Sequence, residues 1–250
     1  MFEYGGVVAG TEDARAALDG VLARVRARHG NAVLGTDATI ERSIPAPPAI
    51  ATLLPGGLRP GAVYSLDAPG ALLLALLAEA SRAGSWCGAV GIPELGAEAA
   101  ERAGIDLDRL VLVPRPGERW LAAAAAVAEV LAVVALRPSG RVRDADAARL
   151  AARLRDRGAV LLTIGPWPQA EAMLSIDDSR WSGLGLGHGC LAEREVDVIA
   201  TSRRSPAPRR VRVVLEGGTL RLAQGPGLRA VPERAQRDGG PALPMRRVAG

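Results

Sequence analysis

Leu58-Arg-Pro-Gly-Ala-Val-Tyr-Ser-Leu-Asp-Ala-Pro-Gly-Ala-Leu-Leu-Leu-Ala-Leu-Leu-Ala-Glu-Ala-Ser-Arg-Ala-Gly84 reads as a strand, a tight glycine-proline turn and an apolar helix. That is the setting of a phosphate-binding loop, in which G-x-x-x-x-G-K followed by Ser or Thr spans the turn. The chemistry of such a loop is missing here. The turn, Asp67-Ala-Pro-Gly-Ala71, is several residues too short, and no lysine stands beside it. None is available elsewhere either, because all 31 basic residues of the 250-residue chain are arginine.

On the C-terminal side of this stretch, short apolar runs alternate with alanine-rich helical ones, the pattern of a parallel sheet covered by helices. Strands are predicted at Ala62–Leu66, Cys87–Ile92, Leu110–Val113, Leu131–Leu136 and Val160–Ile164, and helices at Ala71–Ala83, Glu94–Ala103, Glu118–Val130 and Asp144–Arg157. Nearly continuous apolar strands such as Val160-Leu-Leu-Thr-Ile164 are expected where helices cover both faces. Beyond residue 190, Glu195–Thr201, Val211–Leu215 and Thr219–Ala223 alternate polar and apolar residues, as antiparallel strands at a sheet edge do. The fold class is therefore α/β, a mostly parallel sheet flanked by helices with a C-terminal antiparallel edge hairpin.

On the N-terminal side, Ala14, Leu18, Val21, Leu22 and Val25 recur at helical spacing between Thr11 and His29, which predicts one amphipathic helix capped by Thr11. Ser43 to Gly57 is too rich in proline and glycine for a regular element and is expected to be a connection. The chain thus divides into an N-terminal helix and linker (1–45), a core (46–223), and a basic tail (224–250) without periodicity, flexible or ordered on a partner.

Composition is that of a soluble globular protein, with 48% hydrophobic and 23% charged residues. No run reaches the roughly 18 apolar residues of a membrane span. With no basic-then-apolar leader and only two cysteines, Cys87 and Cys190, a cytoplasmic protein with buried thiols is expected. The net charge of +4 is unevenly placed: residues 1–200 hold 20 Arg against 24 acids, whereas residues 201–250 hold 11 Arg against 3.

Three ordered segments carry a family resemblance. Leu54-Pro-Gly-Gly-Leu-Arg-Pro-Gly-Ala-Val-Tyr-Ser-Leu66, Ala80-Ser-Arg-Ala-Gly-Ser-Trp-Cys-Gly-Ala-Val90 and Ala103-Gly-Ile-Asp-Leu-Asp-Arg-Leu-Val-Leu-Val113 resemble the core of the RecA recombinase fold over roughly residues 50–215. Within that superfamily the chain looks most like the degenerate RecA-like accessory proteins of bacterial mutasomes, the ImuA group in its shorter actinobacterial form. Trp181-Ser-Gly-Leu-Gly-Leu-Gly-His-Gly-Cys190 fits the same group. The resemblance implies an SOS-induced, non-catalytic partner of a Y-family polymerase-like protein of the ImuB type, and indirectly of an error-prone C-family polymerase.

Against a working RecA-type ATPase, the departures are coordinated. There the loop backbone cradles phosphates, Lys neutralises them and Ser or Thr binds Mg²⁺. Here Asp67, Ala68, Pro69, Gly70 and Ala71 form the turn, with Ala71, Leu72 and Leu73 where lysine and hydroxyl would stand. Asp67 is placed to cap the following helix and repel phosphate. The metal-holding aspartate after Leu131–Leu136 is replaced by Arg137, and Glu94, an imperfect stand-in for the catalytic glutamate, reads as a helix-start acid. No enzymatic activity, cofactor or metal is expected, since His188 and Cys190 fall short of a zinc spacing.

The expected functional surface is basic. Arg203, Arg204, Arg209, Arg210 and Arg212 flank one turn and Arg246-Arg247 lie near the end, and arginine engages phosphate or carboxylate in bidentate fashion. The segments Arg137–Arg143 and Pro166–Gly189 occupy the places of the RecA DNA-binding loops, so weak DNA contact is open. The tryptophans at 86, 120, 167 and 181 are read as packing residues before stacking platforms. Two other readings stand beside the mutasome scaffold: a SulA-type division inhibitor, and an atypical DNA-dependent ATPase in which an arginine replaces the lysine.

Overall fold

The computed structural model describes residues 44–182 except 56 and 68, residues 193–223 except 206, 217 and 218, the pair 229–230, and six helical positions between 16 and 27. Those six, Ala16, Asp19, Gly20, Ala23, Arg24 and Ala27, are exposed members of the predicted N-terminal helix. Its apolar positions lie outside the described residues, as do Thr11, His29, His188 and Cys190.

The expected parallel core is present. β1 (Val63–Leu66), β2 (Cys87–Val90), β3 (Leu110–Val113), β4 (Val133–Leu136) and β5 (Val160–Ile164) alternate with α2 (Ala71–Arg82), α3 (Ala97–Arg102), α4 (Trp120–Ala128) and α5 (Asp144–Arg157). An antiparallel extension follows: β6 (Ala172–Ser182), β7 (Glu193–Ser202), β8 (Arg209–Glu216), β9 (Thr219–Leu222) and β10 (Arg229–Ala230). Among the described residues one sheet runs β10-β8-β7-β6-β1-β5-β4-β2-β3, with β9 pairing off β8. β1 lies between β5 and β6, parallel to both, while β6 pairs antiparallel with β7. The two-residue β10 falls inside the stretch expected as a tail and pairs with β8.

Burial explains the sequence pattern. β1, β2 and β4 are buried along their whole length, because α2 and α3 cover one face and α4 and α5 the other. α2 is apolar nearly all round and buries Leu72, Leu73, Leu76 and Leu77 completely or almost so. An apolar circumference requires a second covering layer. It comes from the antiparallel strands, whose Val196, Val198, Val211, Val213 and Leu220 join the same core cluster as α2. α5 is amphipathic: Ala147, Leu150 and Leu154 face inward, Asp144 and Asp146 sit in its first turn, Arg155 and Arg157 in its last, and Gly158 closes it at φ 65°.

Two segments differ from expectation. The proline-rich connection contains a buried helix, α1 (Pro48–Leu53), whose Ala49, Ile50 and Leu53 are in the core. Pro47 and Pro48 occupy its N-cap and first position, where a missing N–H costs nothing. The Pro166–Gly189 region holds the 11-residue β6, which carries a bulge between Asp177 and Ser179. Buried Ala172 and Leu174, with half-buried Ile176 beside them, form its core face.

Two buried hydroxyls stand out. Ser65 of β1 and Thr163 of β5 are register partners, 2% and 0% exposed, and neither side-chain oxygen has a hydrogen-bond partner among the described residues.

Candidate functional site

In an open α/β sheet, ligands bind beyond the carboxyl ends of the strands where successive connections leave in opposite directions. Here that edge is the turn after β1, beside the exits of β2 and β4. Asp67 does not cap α2. Its Oδ2 accepts a hydrogen bond from the Ile176 amide at 3.0 Å, and its own amide donates to the Leu174 carbonyl at 3.2 Å, so the carboxylate ties the end of β1 to β6. The N-cap of α2 is Gly70, which adopts φ 139°, with no side-chain cap. Pro69 and Gly70 line a hollow of about 110 Å³ with Leu74, Ile92, Glu94, Leu95 and Ala99, and Ala71 opens the helix behind it. Ala68 lies outside the described residues.

Glu94 and Arg137, far apart in sequence, meet as an ion pair across the exits of β2 and β4. That hydrogen bond from Arg137 holds the Glu94 carboxyl below its usual range. Glu94 is therefore not a helix-start acid: α3 begins at Ala97, with Glu98 in its first turn. The approach of the two strand ends depends on Gly91, which sits at φ 73° and whose added Cβ would lie 2.4 Å from the Arg137 carbonyl oxygen. The hollow is small beside the roughly 300–1,000 Å³ of small-molecule sites. Its lining includes no cation, and the adjacent Arg137 is committed to Glu94.

The predicted basic surface divides into two parts. On the outward face of the β7–β8 hairpin, Asp197 lies directly opposite Arg212 and is 3% exposed. Arg212 donates from Nε to Oδ1 at 2.8 Å and from Nη2 to Oδ2 at 3.0 Å, and Arg210 donates to Oδ2 at 3.1 Å. Arg210 also reaches Asp177 of β6 at 2.8 Å. The hydrogen bonds from Arg212, with both guanidinium charges, hold the Asp197 carboxyl below its usual range despite burial. Arg210 and Arg212 are thus largely neutralised from within, and Arg209, at the start of β8, has no ion pair among the described residues. Arg246 and Arg247 lie outside the described residues.

Arg203 and Arg204, in the turn after β7, land at the opposite edge of the sheet, the amino end of β1. There a groove of about 300 Å³ runs between α5, the residues preceding β1 and the Trp167–Glu171 segment. Sequence reasoning missed Arg59, Arg155 and Glu171 in this group, since positions so far apart carry no spacing signal. Trp86 and Trp167 are packing residues, 7% and 6% exposed, and Trp120 meets Trp167 edge to face at 6.5 Å between ring centres. The described residues contain no cluster of three or more His, Cys, Asp or Glu able to hold a metal, and no helix long and apolar enough to cross a membrane.

With this geometry in place, the likeness to known proteins becomes informative. The crystal structure of the RadB recombinase superposes with a TM-score of 0.53 at 13% identity, covering 71% of this chain and 97% of that one. The fold is RecA-like. A family model described as the MT3502 N-terminal domain matches residues 52–169, from within α1 to the segment before β6. The uncharacterized protein Rv3395c of Mycobacterium tuberculosis (strain ATCC 25618 / H37Rv) is 37% identical over 128 residues, which is 49% of this chain and 63% of that protein. The chain thus spans under two thirds of that relative, and the residues matched by the family model include the parallel strands β1 to β5.

Proposed function

We propose that this chain is a RecA-fold scaffold that does not hydrolyse nucleotide and that supports translesion DNA synthesis by binding a Y-family polymerase-like partner of the ImuB type. The observation that carries the first half is the state of the carboxyl edge. Asp67 is bound to β6, Glu94 and Arg137 satisfy each other, and the remaining hollow is about 110 Å³ with a mainly apolar lining. A triphosphate carries several negative charges, and the lining of this hollow offers no cation to meet them. Catalysis of phosphoryl transfer is almost entirely positioning and charge stabilisation, so the loss of both removes the reaction.

The second half, the mutasome partner, is supported by the resemblance of the three RecA-like segments and the Trp181–Cys190 stretch to the ImuA group. Contacts are assigned to the amphipathic N-terminal helix, the edge hairpin or the tail. The test is an affinity pull-down of the full chain from DNA-damaged cells, repeated with residues 224–250 deleted. Recovery of the polymerase-like protein supports the reading, and its absence from both samples ends it. Hydrolysis of ATP by the purified chain in the presence of single-stranded DNA refutes the scaffold reading outright.

A further inference from the structure

The groove at the amino end of β1 is built differently from the carboxyl edge. Its basic end gathers Arg59, Arg155, Arg203 and Arg204 around one carboxylate, that of Glu171. Glu171 pairs with Arg204 and lies 4.0 Å from Arg59, whereas Arg155 and Arg203 have no ion pair among the described residues. With Asp144 lining the groove at the start of α5, four guanidinium groups stand against two carboxylates, an excess of two positive charges in a partly enclosed space. Like charges gathered in this way repel unless an anion joins them.

The backbone holds this arrangement in place. Glu171 donates its amide to the Val63 carbonyl at 2.8 Å, and its own carbonyl accepts from the Arg203 amide at 3.2 Å and from the Ser202 hydroxyl at 3.2 Å. One residue therefore anchors the arginine-bearing turn to the start of β1. Gly61 brings the chain after Arg59 against α5, for an added Cβ would lie 2.8 Å from the Arg155 Cα. Two residues before Glu171, Gln169 adopts φ 60°, the only positive φ among the described non-glycine residues. Such strain persists only where the surroundings fix the chain. Along α5 the floor of the groove is made of Ala147, Ala148 and Ala151, so small side chains leave it open lengthwise.

We propose that this groove is a binding site for a phosphate-bearing ligand, whose phosphate sits on Arg59, Arg155, Arg203 and Arg204 and whose body lies along the alanine floor of α5. A single carboxylate duplicates Glu171 and leaves one charge unmet, whereas a phosphate group brings up to two negative charges and oxygens that match the guanidinium fork. The volume of about 300 Å³ falls at the lower end of small-molecule sites, enough for one nucleotide-sized group. The phosphate can come from a free nucleotide or from the end of a nucleic acid strand. The site stands apart from the scaffold reading: ATP hydrolysis at the other edge would refute that reading and leave this one untouched.

The test is calorimetric titration of the full chain with three probes at low and moderate salt: adenosine monophosphate, a 5′-phosphorylated single-stranded dodecamer, and the same dodecamer with a 5′-hydroxyl. Saturable binding of the monophosphate points to a soluble ligand, and preference for the phosphorylated strand over the hydroxyl strand points to a strand end; either supports the site. The double variant Arg155→Ala/Arg203→Ala removes the two arginines without an ion pair and is expected to lose at least about tenfold in affinity while melting like wild type. Glu171→Gln frees Arg59 and Arg204 and is expected to tighten binding. The proposal is overturned if no phosphate probe binds at millimolar concentration, if the folded double variant binds as well as wild type, or if a glutamate-rich peptide binds as tightly as the phosphates.

Discussion

Replacing Asp197 by asparagine tests whether the outward face of the hairpin is an internal ion network or an open basic surface. The carboxylate accepts three charge-assisted hydrogen bonds, two from Arg212 and one from Arg210, and is 3% exposed. Each such bond contributes about 1.5–3 kcal/mol when its partner is charged. The full sum does not apply, because the Arg210 and Arg212 side chains are 28% and 42% exposed, so water can solvate them once the charge is gone. Asn also keeps one acceptor oxygen. The expected cost is therefore about 2 kcal/mol at pH 7, a fall in melting temperature of roughly 4–8 °C for a chain of this size. The pH dependence follows from the direction of the shift. A carboxyl held below its unfolded value of about 3.9 stabilises the fold above that pH, and this contribution drains away as pH falls through the folded pKa. Urea melts of wild type and Asp197→Asn at stepped pH should differ fully at pH 7 and converge as pH falls below the unfolded carboxyl value. A loss below about 0.5 kcal/mol at pH 7, or a gap that stays constant with pH, would refute the reasoning.

Thr163→Val removes a buried hydroxyl that has no partner among the described residues, at nearly unchanged volume, and is expected to raise stability by about 1 kcal/mol; a measured loss in urea melts would show that the hydroxyl is satisfied. Gly91→Ala combines a positive φ with a Cβ that would stand 2.4 Å from a backbone oxygen, and should cost about 3 kcal/mol or more. If it costs less than about 1 kcal/mol, the close approach of the β2 and β4 exits is not required. Cys87 is fully buried, donates to the Leu77 carbonyl at 3.6 Å and is pushed up to about 12 by burial. It should resist alkylation of the native protein at pH 8 and react only after unfolding, as peptide mass mapping would reveal.

The parallel half of the fold was legible because burial on both faces imposes long apolar runs and because α5 carries its own start and stop signals. Asp144 and Asp146 open that helix and Arg157-Gly158 closes it, so its bounds match the structure residue for residue. α1 was hidden by its prolines, which mark the entry of a helix as readily as they break one. β6 was hidden because its parallel partner β1 lies more than 100 positions earlier, and because Asp177-Asp178 interrupts its alternation beside a bulge. At the candidate site, residue types were readable and pairings were not. That Arg137 replaces an acid is visible in the sequence, but that it meets Glu94 depends on β2 and β4 lying side by side. Likewise Arg212 faces Asp197 only through the register of one hairpin.

The two edges of the sheet carry opposite electrostatic accounts. At the hollow of the carboxyl edge the acidic side chains are taken up by the protein itself, Asp67 by a β6 amide and Glu94 by Arg137, and no cation lines the space. On the hairpin face Asp177 and Asp197 stand opposite each other across β6 and β7, an unfavourable pairing that Arg210 relieves by donating to both. Arg210 is therefore part of the fold, and releasing it to a partner would expose that repulsion. In the amino-edge groove four arginines face two carboxylates, Glu171 and Asp144, and Arg155 and Arg203 have no ion pair among the described residues. Affinity for a charged ligand depends on charge the folded chain has not already satisfied, so in this RecA-like sheet the electrostatic argument for a ligand has moved from the end where the strands finish to the end where they begin.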